Sequence, residues 1–444
     1  VEDDQILDNF VDENAFNSAA SLADTRKDSE YSGVAVSASS THTIKSFLVN
    51  GGVAGKGAAV NGTVNVNSIG GSTSAAIRGA DINANAASDG NVHVVAHDYA
   101  NSAGIVGTAN GTLAGAAVGL GSDTNTVSRD VSAEVLGKGT ADSNGRYALK
   151  NTVNADKLSV DAEAKQGISS LTTGISAAAV GAGVSNATSV ALLEGKTTAQ
   201  INGTAVSAAS LDVTSDHTAK MNTLGVALGA GVEGCGVGIG VSVLNENSET
   251  AAKVTDADIN MSKEDSQVTI KANNHTKVNY QLYNGGGGLV GVAGSIGVSN
   301  VNSKVNTTVE DTSIGQQAAN TEEIEGAAKN IQISAENDID FTNNSGTAGV
   351  GAVGVGVGVA VNTIDSQVQT RVDHAKLHAS GAIDVSANET RKVNQLAVNA
   401  QAGSVTGGAN IMITNVGKTV DSVYGSNLQT NADGEVQGDG GVKT

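Results

Sequence analysis

The chain has 444 residues with 57 Gly, no Pro, no Trp, one Cys and 2% aromatic residues, and its 25 Lys plus Arg against 45 Asp plus Glu leave a formal charge of −20. That excess of acid argues against nucleic acid as a partner, because such binding rests on basic side chains neutralising phosphates; its ordinary consequence is solubility. A core without aromatic bulk must be filled by Val, Ile, Leu and Ala, which suits a narrow, layered interior, and the 39% hydrophobic residues fall at period two, which argues against disorder.

Residues 1–33 carry an acidic cluster and two Phe, and read as the tail of a preceding repeat or a cap. The opening "VEDDQILDNF" has no signal-peptide pattern and the closing residues no anchor, so both ends look cut from something longer. From residue 34 to 444 the chain reads as one repeat domain. Alternating strands recur at "VAVSAS" (Val34), "VHVVAH" (Val92), "LSVDAE" (Leu158), "LDVTSD" (Leu211), "VTIKAN" (Val268), "IQISAE" (Ile331) and "IDVSAN" (Ile383). Successive starts differ by 58, 66, 53, 57, 63 and 52 residues, as when loops of varying length are inserted between fixed rungs.

Inside each copy a Gly/Ala/Val stretch leads to an Asx residue, namely Asn67, Asp123, Asn186, Asn245, Asn300, Asn362 and Asn415, then to an aliphatic 12 to 15 residues on, from Ile82 to Leu428. Asn tolerates left-handed backbone and can hydrogen-bond its own main chain. These seven residues are therefore expected at bends, stacked as a structural ladder of amides. The glycine-valine stretch "VGAVGVGVGVAVN" (350–362) is broken by too many glycines for a bilayer-spanning helix and offers too little side chain for a steric zipper. It reads as a strand with valines on one face and glycines where another backbone comes close. Residues 140–157 and 316–330 break the alternation and read as excursions, the second as a loop or short helix.

The expected fold is all-β: an elongated right-handed parallel β-helix of about seven repeats of roughly 58 residues. Two coils of about 26 to 30 residues per repeat would make a rod on the order of 70 Å long at about 4.8 Å per strand.

A search for chemistry finds little. Asp256, Asp311 and Asp373 each lie 11 residues after an Asx marker, but with no clustered Arg, Lys or aromatic residue they read as a solvated face. His374 and His378 of "RVDHAKLH" would be about 13 Å apart along a strand, too far for one zinc. The glycines of "GGGGLVGVAG" lack the aspartate of the calcium-binding nonapeptide, and no P-loop, nucleophile elbow or HExxH is present. Tyr280 and Tyr283 should face opposite ways, Leu211 and Val213 of "LDV" should point inward, and Cys235 reads as a small buried hydrophobe. No catalytic, cofactor or metal residues are assigned, and an enzyme is not expected.

The segments "VGVGVAVNTIDSQVQTRV" (355–372) and "VGAGVSNATSVALLEGKTTAQI" (180–201) resemble the repeats of leukotoxin-type filamentous adhesins, very large exported β-solenoid proteins of Gram-negative bacteria. The resemblance covers almost the whole chain from about residue 34. It implies an internal segment of a secreted or surface-displayed adhesin, a rigid stalk and attachment surface for host or neighbouring cells, with a surface receptor as partner, an outer-membrane export partner for the full-length protein, and no catalytic residues. The alternatives are a segment of a leukotoxin-like cytotoxin and a structural fibre subunit associating end to end through its terminal coils.

Overall fold

A computed structural model of the chain describes residues 33–83, 90–143, 145–317 and 324–424, with the pairs 429–430, 436–437 and 442–443. Apart from Gly33, the cap assigned to residues 1–33 lies outside the described residues, as does Leu428. The chain is a parallel β-solenoid, and among the described residues there is no helix.

Seven coils stack in parallel: coil 1 is Gly33–Arg78, coil 2 Asn91–Leu136, coils 3 and 4 both lie within Asn151–Met261, coil 5 is Gln267–Glu310, coil 6 Asn330–Asp373, and coil 7 is Ile383–Ala402 with Val405–Tyr424. The repeat starts pair in register, Val34 with Val92, Val92 with Leu158, Leu211 with Val268, Val268 with Ile331, and Ile331 with Ile383. Between coils 3 and 4 the 53-residue step is bridged by Thr214 Oγ1 donating to Asp161 Oδ1 at 2.8 Å.

One repeat is therefore one coil, not two. Each coil runs out along one leg, turns sharply and returns along a second leg that faces the first. Asn110 Nδ2 donates to Val118 O at 3.0 Å across the coil 2 turn, and Ser102 Oγ to Asn125 Oδ1 at 2.8 Å further down the same pair of legs. The two halves of the repeat belong to opposite sheets rather than to successive rungs of one. At about 4.8 Å per strand the seven coils stack to about 30 Å, while legs of about 20 residues reach about 66 Å, so the expected rod is a two-sheet slab.

Glycine sets the turn. Gly57, Gly115 and Gly181 stack in register with φ of +108°, +125° and +122°, a region that side-chain-bearing residues avoid. At the far end of the return leg the chain takes a left-handed residue again: Gly79, Gly203, Asp256, Asp311 and His374, with φ between +48° and +65°. Of residues 140–157, those up to Leu149 leave the stack in a small antiparallel hairpin, Lys138–Ala141 against Tyr147–Leu149, whereas from Asn151 the chain is back in it, with Val153 paired to Ile82 and buried in the core. The described part of 316–330 contains an antiparallel pair, Gln316–Gln317 against Ile324–Glu325, and no helix among its described residues.

The interior is zoned along the legs. At the base, where every repeat starts, an aliphatic cluster includes Val94, Val160, Leu211, Ile270 and Ile333. Nearer the turn a second cluster gathers Val127, Leu193, Tyr280, Val301, Phe341 and Ile364. Beyond it, towards the turn, the inward residues are small. Gly236, Gly238 and Gly240 are buried in coil 4, and a Cβ on Gly238 would lie 2.2 Å from Gly285 O and 2.5 Å from Ala227 O. The two sheets meet there backbone to backbone.

Candidate functional site

Period two means that if glycines face in, their neighbours face out. In coil 6 Gly354, Gly356, Gly358, Ala360 and Asn362 are buried while Val353, Val355, Val357, Val359 and Val361 lie on the outer surface. The reading of 350–362 holds: the glycines sit where another backbone approaches, and the valines share one face, which is the outer one. The same inversion runs through coils 4, 5 and 7, and Ile239, Ile296, Val298, Val357, Ile411 and Ile413 are each 39–52% exposed. Of the 20 outward positions at residues 235–243, 290–298, 353–361 and 405–413, none is charged or polar apart from the thiol of Cys235. Cys235 sits at the coil 4 turn, half-buried, rather than in the core, because it has the outward parity of Val290, with which it pairs, while its neighbour Gly236 faces in.

The seven Asx residues do not form one ladder, since their spacing to the closing aliphatic varies by up to three residues and the register does not. Asn67 and Asn362 face inward in one row, Asp123 faces inward in the row beside it, and Asn245, Asn300 and Asn415 share an outward row at the lower border of the apolar face. None of the seven has the left-handed backbone of a bend; they lie within extended legs. Real amide ladders exist in pieces. Asn67 Nδ2 donates to Asn125 Oδ1 at 2.9 Å, Asn300 Nδ2 to Asn245 Oδ1 at 2.9 Å, and Asn302 Nδ2 to Asn247 Oδ1 at 3.0 Å. Asn186 accepts only a local bond from Thr188 Oγ1 at 2.9 Å, and Asn362 Oδ1 accepts from Ser299 Oγ at 2.7 Å and Asn343 Nδ2 at 3.1 Å. Asp123 accepts from Ser170 Oγ, Asn65 Nδ2 and Asn125 Nδ2 at 2.6 to 2.8 Å, yet burial still pushes its carboxyl above the usual range.

The aspartate column is also corrected. Asp256 and Asp311 share the left-handed corner, but the residue that follows them there is His374; Asp373 pairs instead with Glu310. Coils 5 and 6 keep a constant 63-residue step, which a count from the Asx markers misses by one. The corner explains the residue types, because Asp tolerates positive φ better than most side chains. Lys150 Nζ reaches Asp256 at 3.2 Å and Asp258 at 2.9 Å, and Arg146 pairs with Asp311. His374 is exposed and pairs with Asp373 at 3.2 Å, whereas His378 is buried, and among the described residues no three His, Cys, Asp or Glu converge as for a metal.

Leu211 and Val213 are fully buried with Asp212 outward on Lys157 at 2.6 Å, and Tyr280 is buried while Tyr283 is 41% exposed, both as expected from parity.

Between the two aliphatic clusters runs a buried polar spine that sequence reasoning missed. In coil 2 Arg129 and Asp98 pair in the interior, with Arg129 Nη1 donating to Gly70 O at 2.9 Å and Nη2 to Ser40 Oγ at 3.0 Å in coil 1. In coils 4 to 6 His217 Nδ1 donates to Asn274 Oδ1, and Asn274 Nδ2 to Asn337 Oδ1, both at 2.9 Å. Burial lowers the His217 imidazole to about 4. The available signal was the inward parity of Asp98, His217, Asn274 and Asn337, each six residues after its repeat start.

On the outer face of the outgoing legs, over the spine, a shallow groove of about 480 Å³ is lined by Asp216, Asn273, His275, Glu336 and Asp338 among others. Lys271 meets Glu336 at 2.8 Å and His275 meets Asp338 at 3.0 Å. Burial, with Asp161 and Glu163 nearby, pushes the Asp216 carboxyl up. These pairings leave a mixed-charge polar surface.

Among known proteins, no family model, no curated protein and no solved structure matches the chain.

Proposed function

We propose that this chain is an attachment-bearing stalk segment of a secreted or surface-displayed filamentous adhesin. The observation that supports this reading is the outer surface. Seven in-register coils repeat each outward row at about 4.8 Å, which gives long flat faces, polar at the base and apolar towards the turn, suited to multivalent contact with a cell surface. A rigid, closely layered slab also spaces whatever precedes and follows it. The test is to add the purified, fluorescently labelled chain to host cells over a wide concentration range while following bound label and dye leakage together. Saturable binding without leakage is the expected result. Leakage would turn the assignment to a cytotoxin segment, and the absence of both would reduce the segment to a spacer.

A further inference from the structure

The apolar outer face of the return legs exceeds what the stalk itself requires. A solvated sheet face normally carries polar or charged side chains, and the lower part of these same legs does: below the border row lie Asn247, Asn302 and Asp365, then Glu249 and Lys304. Above Asn245, Asn300, Thr363 and Asn415 the outward rows of coils 4 to 7 are Val, Ile, Gly and Ala, with Cys235 alone at the turn. The surface switches from polar to apolar along one straight line across four coils.

We propose that this face pairs with the same face of a second copy of the chain, sheet on sheet. Four coils at about 4.8 Å and nine residues at about 3.3 Å outline an apolar rectangle of about 570 Å². Two such faces bury about 1,100 Å² together, just above the roughly 1,000 Å² that a specific interface needs. A single patch of this size is at the upper end of what monomers expose. Gly294 of coil 5 and Gly407 and Ala409 of coil 7 leave dips among the valines and isoleucines, into which the large side chains of the second copy can pack as in a β-sandwich. The uncharged face gives an acidic or basic partner nothing to select, and the amide border row supplies the polar rim that interfaces carry.

A lipid bilayer is the competing occupant of an apolar surface this deep. Entry turn-first would carry Glu233, exposed at the coil 4 turn, into the hydrocarbon, and would leave the backbone groups along the outer edge of coil 7 without water or partner. A second copy imposes neither cost.

The experiment is sedimentation equilibrium of the full chain from about 1 to 100 µM, beside two outward single variants, Ile296→Lys and Val357→Lys, with thermal unfolding to establish that each still folds. The wild type should be a dimer in this range, and each lysine should weaken dimerisation at least tenfold while the melting profile at low concentration stays unchanged. As a control on position, Thr218→Lys, outward on the opposite sheet, should leave the dimer intact. A wild type that stays monomeric at 100 µM overturns the proposal, as does a dimer that survives both lysines. Monomeric wild type that binds uncharged phosphatidylcholine vesicles, with binding lost in Val357→Lys, would assign the face to lipid instead.

Discussion

Glu246 in coil 4 is paired in register with Val301 of coil 5, so a carboxyl occupies an inward row that is otherwise aliphatic, with Val127, Leu193 and Ile364 at the equivalent positions. Its two carboxyl oxygens are buried without a hydrogen-bond partner. Burial pushes the group up to about 8, and the Ser248 hydroxyl and the Asn302 backbone N–H nearby oppose this only weakly.

The pH dependence of stability follows from Glu246 and His217 together. A carboxyl raised in the folded state costs nothing below its unfolded pKa of about 4.3, and stability falls as pH rises from there towards 8, because the unfolded chain releases the proton first. For His217, lowered to about 4, the unfolded chain takes up the proton first, so stability is lost as pH falls from about 6.5 towards 4. Denaturant midpoints should therefore decline between pH 6.5 and 8 in the wild type. In Glu246→Leu that decline should vanish, with the midpoint at pH 8 raised by the equivalent of a few kcal/mol; an unchanged alkaline limb would show that Glu246 is not what drives it.

Arg129 and Asp98 test the polar spine. Replacing Arg129 by Met leaves Asp98 buried without its partner and should cost about 3–5 kcal/mol. The double change Arg129→Met with Asp98→Leu should recover most of that loss. Chemical unfolding of Arg129→Met, Asp98→Leu and the double variant measures the coupling directly, and equal losses in single and double variants would refute it.

Gly238 tests the backbone-to-backbone contact near the turn. Gly238→Ala places a methyl group 2.2 Å from the carbonyl oxygen of Gly285, and backbone cannot give way as a side chain does. A loss of about 1–3 kcal/mol is expected. The outward neighbour change Ile239→Ala should cost far less, and comparing their thermal midpoints checks which parity faces in.

The left-handed corner offers a stabilising change. His374 holds φ at +49° where Gly79 and Gly203 occupy the equivalent place in other coils. His374→Gly relieves that strain and should raise stability by about 1 kcal/mol, because the buried Asp373 keeps its pairing with Arg371 when the exposed imidazole is removed. A lowered melting temperature would show that the ion pair outweighs the backbone.

Much of this molecule is written in its one-dimensional pattern. Alternation at period two decided strand, and the repeat starts decided which residues pair: Val34, Val92 and Leu158 stack in register, as do Leu211, Val268, Ile331 and Ile383, with the Thr214–Asp161 bond joining the two runs, because a parallel solenoid repeats its register in the chain itself. Parity also put Leu211 and Val213 on one face, as the buried pair they are, and Tyr280 and Tyr283 on opposite faces. What alternation cannot say is which parity is the inner one. Period two is symmetric, and the intuition that valine belongs inside fails at 353–361, where the approach of the facing sheet leaves room only for glycine and alanine. The number of coils per repeat was likewise decided by tertiary structure, because a 20-residue leg facing its own return gives the same alternation as two short stacked coils. So were the polar spine of Arg129, Asp98 and His217 and the straight edge of the apolar face, since both arise from legs brought together across a gap that no local spacing records.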